Sequence, residues 1–142
     1  MNFYHVEISR IKKACFANET QLQVAIDLKK FIDENYCSDV NLDRFSAIVF
    51  ISKFHLLRIF KRHYGFTPIQ YLIEKRLEKS RALLRQGVPV TNTCYMAGFD
   101  TPSSFSTLFR RKMGLSPAQF QKRNFRKVIS THPLELAAET KQ

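Results

Sequence analysis

Ser52-Lys53-Phe54-His55-Leu56-Leu57-Arg58-Ile59-Phe60-Lys61-Arg62-His63-Tyr64-Gly65-Phe66-Thr67-Pro68-Ile69-Gln70-Tyr71 returns 49 residues on as Thr101-Pro102-Ser103-Ser104-Phe105-Ser106-Thr107-Leu108-Phe109-Arg110-Arg111-Lys112-Met113-Gly114-Leu115-Ser116-Pro117-Ala118-Gln119-Phe120. Phe60/Phe109, Arg62/Arg111, Gly65/Gly114, Pro68/Pro117 and Gln70/Gln119 are identical, and Leu56/Phe105, Ile59/Leu108, Lys61/Arg110, Thr67/Ser116 and Tyr71/Phe120 keep their chemistry. A self-match of this length is one supersecondary unit used twice. Each copy reads as a short basic helix, a glycine stop and a capped helix start. Two such units in one small basic chain suit a partner that is itself periodic, and DNA is the obvious one.

Working outward, apolar residues fall at helical spacing almost throughout, and no strand-like alternation persists. A first helix is expected from about Thr20 to Tyr36, with Leu22, Ala25, Ile26, Leu28, Ile32 and Tyr36 on its buried face. Residues 37–41 form a polar break. Leu42 to Val49 reads as a short helix capped by Asn41. Ser52 caps the next, which Gly65 ends in the left-handed conformation. Thr67 and Pro68 open a long helix to about Gln86, since proline suits a first turn whose N–H groups lack partners. The pattern then restarts, with a helix over Thr91–Ala97, one capped by Thr101 and ended by Gly114, and a last one from Pro117 to about Phe125. The fold class is therefore all-α, with about seven helices. The expected organisation is an N-terminal extension at 1–19, a first helix-turn-helix at 20–66, a linker helix at 67–87, a second helix-turn-helix at 88–128 and a fraying tail at 129–142. Partial order is expected in the N-terminal extension.

The 142 residues leave room for one domain or two very small ones. Net charge is +11, which favours a polyanionic partner. Residues 41–127 carry 17 Lys/Arg against four acids (Asp43, Glu74, Glu78 and Asp100), and the rest of the chain is slightly acidic. The excess thus coincides with the repeat. A merely solvated basic surface is the plain alternative. Cys15, Cys37 and Cys94 form no CxxC pair and read as reduced, mostly buried structural thiols. No run approaches the roughly 18 apolar residues of a membrane span, and Met1-Asn2-Phe3-Tyr4-His5 has no secretion-signal character. His5, His55, His63 and His132 are scattered, with no acid or cysteine completing a metal set. Neither a Gly-rich phosphate loop nor a nucleophile elbow is present. No enzyme activity, cofactor or metal is expected, and the chain is read as cytoplasmic.

In a helix-turn-helix the second helix enters the major groove and the first braces it. Leu56, Ile59, Phe60 and His63/Tyr64 would seat that helix in unit one, and Phe105, Leu108, Phe109 and Met113 in unit two. The opposite face offers Phe54, Leu57, Arg58 and Lys61, matched by Ser103, Ser106, Thr107 and Arg110. Arg58 can reach a guanine edge, while Phe54 and Leu57 can pack on thymine methyls. Their alternative use is to pad a protein interface. Lys61, Arg62, Arg110, Arg111 and Lys112 lie nearer the helix ends, where phosphates are the expected partners. Ser52, Lys53, Thr101 and Ser106 are assigned to phosphates as well.

These marks, in this order and spacing, resemble the DNA-binding domain of the AraC/XylS family of bacterial transcription regulators over residues 20–124. They are Ser52, Arg58-Ile59-Phe60-Lys61, Gly65-Phe66-Thr67-Pro68 and Tyr71-Leu72, then Arg76-Leu77, Leu83-Leu84 and Gly98-Phe99. Ser104-Phe105, Phe109-Arg110-Arg111 and Gly114-Leu115-Ser116-Pro117 complete the set. The resemblance implies a homeodomain-like fold of seven helices, its two helix-turn-helix subdomains reading successive major grooves of double-stranded DNA. It implies a monomer that activates through RNA polymerase, in the bacterial nucleoid. Base contacts carried over by position are Phe54, Leu57, Arg58, Pro102, Ser103 and Thr107. Fewer than 20 residues precede the first expected helix, so the chain resembles short stand-alone members for which no small-molecule effector is expected. A DNA-binding fragment of a longer effector-responsive regulator is the other possibility, and a module binding polymerase or another regulator is the rival function. Departures from the family pattern are Phe50 where glycine is common, Ser80 for alanine, Thr93-Cys94 for an apolar-alanine pair, and Phe120-Gln121 for Tyr-Arg. Unit one is therefore expected to specify sequence and unit two mainly to grip phosphate.

Overall fold

The computed structural model describes residues 3–131, with side-chain surroundings for Arg10 and for residues 19–127. The described residues form seven helices: α1 (Phe3–Asn35), α2 (Leu42–Val49), α3 (Lys53–Tyr64), α4 (Pro68–Arg85), α5 (Val90–Met96), α6 (Pro102–Met113) and α7 (Pro117–Thr131). Among the described residues there is no strand. The expected Thr20 start of the first helix is displaced, because α1 begins at Phe3. Residues expected to be only partly ordered are helical from Phe3 onward. The last helix likewise runs beyond Phe125 to Thr131. The rest of the expected tail, 132–142, lies outside the described residues.

The helix boundaries follow from side chains that satisfy terminal backbone groups. Asn41 accepts from the N–H of Arg44 at 3.1 Å, Ser52 from His55 at 3.2 Å and Thr101 from Ser104 at 3.2 Å. Thr67 and Gln70 exchange hydrogen bonds reciprocally, at 2.9 and 3.1 Å, and Ser116 and Gln119 do the same at 3.1 and 3.2 Å. These are capping boxes, and they explain why the glutamine three residues after each Thr/Ser recurs in both copies. Gly65 (φ 81°) and Gly114 (φ 77°) close α3 and α6 in the left-handed region.

The chain divides into two compact units, 1–73 and 74–142. In the first, Leu28 and Ile32 of α1, Phe45 of α2 and Leu56 and Phe60 of α3 form a buried cluster. Phe60 is fully buried, with ring centroids 4.8 Å from Tyr64 and 6.0 Å from both Phe66 and Tyr71. The start of α4 is tied to α1 by the Tyr71 hydroxyl, which donates to Asp33, while Lys29 pairs with Asp33 at 3.4 Å. Burial and the Asp33 carboxylate push the Tyr71 phenol above its ordinary range, so it keeps the proton it donates. Two residues expected on the buried face of the first helix, Leu22 and Ile26, are instead exposed at 44% and 42%. The buried stripe is Ala25, Leu28 and Ile32.

In the second unit Leu77, Leu83, Leu84, Cys94, Ala97, Phe105 and Phe109 are buried. Phe109 contacts Phe105 and Phe120, with centroids 5.7 and 5.3 Å apart. All the departures from the family pattern except Phe50 fall here, and the buried polar replacements are satisfied. Ser80 is fully buried and donates to the Leu77 carbonyl at 2.7 Å. Thr93, also fully buried, donates to Val88 at 3.3 Å. A buried hydroxyl with a backbone acceptor avoids the cost of an orphaned polar group. Gln121 of α7 donates to the carbonyls of Leu84 at 3.2 Å and Val88 at 2.7 Å, closing the C-terminal end of α4. The neighbouring Phe120 ring lies 5.6 Å from the Arg85 guanidinium, within cation–π range.

The two helix-turn-helix turns differ by one residue. In the first, Phe50 adopts the left-handed conformation (φ 57°, ψ 34°), and the Ile51 N–H bonds to the Ser46 carbonyl at 3.3 Å. In the second, Gly98 is left-handed (φ 94°) and the Phe99 N–H bonds to Cys94 at 3.0 Å. The Ser46 hydroxyl donates to the Ile51 carbonyl, and the Cys94 thiol to Phe99 at 3.9 Å. Burial, with Asp100 adding to it, raises the Cys94 thiol pKa and keeps the S–H on. Ser46/Cys94, Phe50/Gly98 and Ile51/Phe99 are thus related by 48 residues, whereas everything from Ser52/Thr101 onward is related by 49. Asp100 is the inserted residue.

Phe50 is the sole non-glycine with positive φ among the described residues, and it is 94% exposed. The left-handed conformation costs a Cβ-bearing residue about 1–2 kcal/mol, and almost no burial offsets it. Phe50→Gly is therefore expected to stabilise the protein by about 0.5–1 kcal/mol after the extra unfolded-chain entropy of glycine is subtracted. A thermal melt should move up by about 2–4 °C. A lower midpoint would mean that the Phe50 ring contributes packing which its exposure does not reveal.

Candidate nucleic-acid interface

Helix α3 is seated by Leu56, Ile59 and Phe60, all buried, with Tyr64 half-buried. His63, which shared the expected buried face, is exposed. Residues three, four and seven apart share a helix face, so seating that side turns Phe54, Leu57, Arg58 and Lys61 outward together. Phe54 is 76% exposed, and Arg58, Lys61 and Arg62 are exposed without an ion pair among the described residues. Leu57 is half-buried, so part of its side chain is already spent on packing. Ser52 is the exposed N-cap, and Lys53, the first residue of the helix, pairs with Asp43 of α2 at 3.8 Å.

Helix α6 repeats the arrangement with different chemistry. Phe105 and Phe109 are buried, while Leu108 and Met113 are half-buried. The outward row is Ser103, Thr107 and Arg110, all exposed, with Ser106 half-buried. Pro102 opens the helix and is half-buried. Thr107 donates to the carbonyl of Ser103 at 2.9 Å, and Thr101 donates to the Ser104 hydroxyl at 2.8 Å. Two hydroxyls of this face thus have their protons engaged within the helix. Arg110 and Arg111 are exposed, and Lys112 pairs with Glu74 of α4 at 3.5 Å.

Both helices carry three basic residues in their last turn, Lys61-Arg62-His63 and Arg110-Arg111-Lys112. Cations there complement the partial negative charge of a helix C-terminus, at about 0.3–1 kcal/mol each. That effect accounts for a basic residue in each last turn. It does not account for Arg58, which sits mid-helix.

The ion pairs of Lys53 and Lys112 are what sequence reasoning missed. The four acids between 41 and 127 are visible as a count, but which of them meets a lysine depends on how separate helices pack. Among the described residues no three His, Cys, Asp or Glu side chains gather as a metal site, and no helix is long and apolar enough to cross a membrane.

A family model described as a helix-turn-helix domain matches residues 45–123, more than half of the chain. The HTH-type transcriptional activator RhaS of Escherichia coli (strain SE11) is 37% identical over 91 residues, which is 63% of this chain and 33% of that protein. The chain spans about a third to a half of the length of the curated relatives it matches. The C-terminal domain of AraT, a response regulator from Geobacillus stearothermophilus, superposes with a TM-score of 0.66 at 27% identity, covering 70% of this chain and 84% of that one. The DNA-binding domain of AdpA, a global transcriptional factor solved in complex with a target DNA, shares the fold with a TM-score of 0.60 at 22% identity, over 80% of this chain and 96% of that one. The repeated, glycine-stopped and capped helix pairs, the buried Phe60 and Phe109 and the family match over residues 45–123 agree, and the chain belongs to the AraC-type helix-turn-helix family.

Proposed function

We propose that this chain is a sequence-specific double-stranded DNA-binding transcription regulator, and an activator that works through RNA polymerase. The observation that carries the reading is the outward row on α3, repeated in register on α6 and flanked by exposed cations. Phe54, Leu57 and Arg58, with Pro102, Ser103 and Thr107, are taken as the base-reading side chains. Ser52, Lys53, Lys61, Arg62, Thr101, Ser106, Arg110, Arg111 and Lys112 are taken as the phosphate contacts. The AdpA domain, which shares the fold, was solved on a target DNA, and RhaS is a transcriptional activator. Both facts support the reading by likeness. The expected division of labour is unequal. Arg58 is a long donor with its guanidinium free, whereas Thr107 and Thr101 already donate within α6.

The rival reading, a module that docks on another protein, draws on the exposed Ile48, Phe50 and Phe54. Salt separates the two. Each phosphate neutralised on B-DNA contributes about −0.9 to the slope of log K against log salt. With Lys53 and Lys112 held by Asp43 and Glu74, the four cations Lys61, Arg62, Arg110 and Arg111 would bring that slope to about −4. Anisotropy titrations of a labelled duplex between low and physiological salt should approach it. A flat response, or no binding to any duplex, would leave the protein partner as the better account.

A further inference from the structure

Two of the four acids between residues 41 and 127 are paired with lysines at the proposed interface: Asp43 with Lys53 at 3.8 Å and Glu74 with Lys112 at 3.5 Å. One lysine is the first residue of α3 and the other lies in the last turn of α6. The other two acids, Glu78 and Asp100, pair with no basic side chain among the described residues. Resting on the DNA-binding reading above, we propose that Asp43 and Glu74 limit how tightly the chain holds DNA of any sequence. Each keeps a lysine in an ion pair that a phosphate must displace.

The chemistry supports a limiting role better than a structural one. Both pairs are exposed, the lysines at 45% and 46% and the acids at 77% and 53%, so solvent screens them and their contribution to folding is small. Placed beside a polyanion the same carboxylates act differently. The lysine must exchange one acceptor for another, and the carboxylate it leaves faces the phosphates with like charge. The Coulomb term for a unit charge at contact distance in water corresponds to roughly fivefold in affinity. A regulator facing a large excess of non-specific sites benefits from weak non-specific retention, because such sites compete for it in proportion to their number. Arg58, by contrast, has no acidic partner among the described residues, so the limit falls on phosphate contacts and spares the base-reading residue.

The test uses the full chain and a random-sequence duplex, with Asp43→Asn, Glu74→Gln and the double variant. Two controls remove an unpaired acid. Asp39→Asn lies on the same cavity of about 390 Å³ that Asp43 and Lys53 line, and Glu78→Gln lies one turn along α4 from Glu74. Asp43→Asn and Glu74→Gln should each tighten binding by roughly three- to tenfold near 0.1 M salt. Each should steepen the salt slope by up to about 0.9, and the double variant should show both changes. The controls should move affinity less than twofold. If Asp39→Asn and Glu78→Gln tighten binding as much, overall charge is responsible and the pairs are idle, which overturns the proposal. It is equally overturned if wild type binds with a steep slope and the paired variants match it. Absence of duplex binding by wild type would sink the DNA-binding reading itself, a result distinct from either.

Discussion

Phe60→Ala and Phe109→Ala are each expected to cost about 3–5 kcal/mol of stability. Both rings are completely buried, and the surrounding aromatic side chains can only partly collapse into the space left. A loss of that size is comparable to the whole stability of many small domains, roughly 5–15 kcal/mol. The two residues occupy the same position in the repeat but belong to different compact units. Phe60 is surrounded by Tyr64, Phe66 and Tyr71, and Phe109 by Phe105 and Phe120. The expected consequence is local. Phe60→Ala should accelerate amide hydrogen exchange in α2 and α3, and Phe109→Ala in α5 and α6, each before the other unit responds. Exchange rising uniformly along the chain in both variants would show one cooperative structure and contradict the division. Milder melting, with less than about 1 kcal/mol lost, would mean that neighbouring rings refill the site.

The features that made this fold legible are those in which a local backbone need selects a residue type. Gly65 and Gly114 stand where φ must be positive, and Asn41, Ser52 and Thr101 where helix N–H groups need an acceptor. The sequence shows these needs directly, so the starts of α2, α3, α4, α6 and α7 could be placed from it. Helix α1 begins 17 residues before the expected Thr20, in a stretch whose apolar pattern is weak. The turn insertion was hidden for a different reason. In α2 and α5 the buried positions have diverged to Phe45 and Thr93, and the left-handed residue is Phe50 in one copy and Gly98 in the other. Only the matching hydrogen bonds of Ser46 and Cys94 reveal the 48-residue register. At the candidate interface, spacing alone brought Phe54, Leu57, Arg58 and Lys61 onto one face. Which cations stay free and which are held by Asp43 or Glu74 is a property of packing, and so is the half-burial of Leu57.

Arg58→Ala should lower affinity for the preferred site by about 1–3 kcal/mol and relax the preference at one base pair. On random duplex it should cost far less. The reasoning starts from the geometry of α3, where Arg58 lies four residues beyond Phe54 and three before Lys61, on the side opposite the buried Leu56, Ile59 and Phe60. No ion pair among the described residues competes for its guanidinium, and a planar two-pronged donor matches the paired acceptors of a guanine edge. Lys61→Ala provides the contrast. A lysine near the helix end is a point charge suited to a phosphate, which looks the same in every sequence. Its removal should weaken preferred and random sites by the same factor and flatten the salt slope by about 0.9. The measurement is a selection from randomised duplexes, followed by titration of the winning and a scrambled site at several salt concentrations. Equal loss on both sites from Arg58→Ala would make Arg58 another phosphate contact and move the reading of sequence to Phe54 and Leu57, or away from α3. A sharper preference for the half-site facing α6 would reverse the expected inequality of the two copies, despite the short hydroxyl side chains that α6 presents.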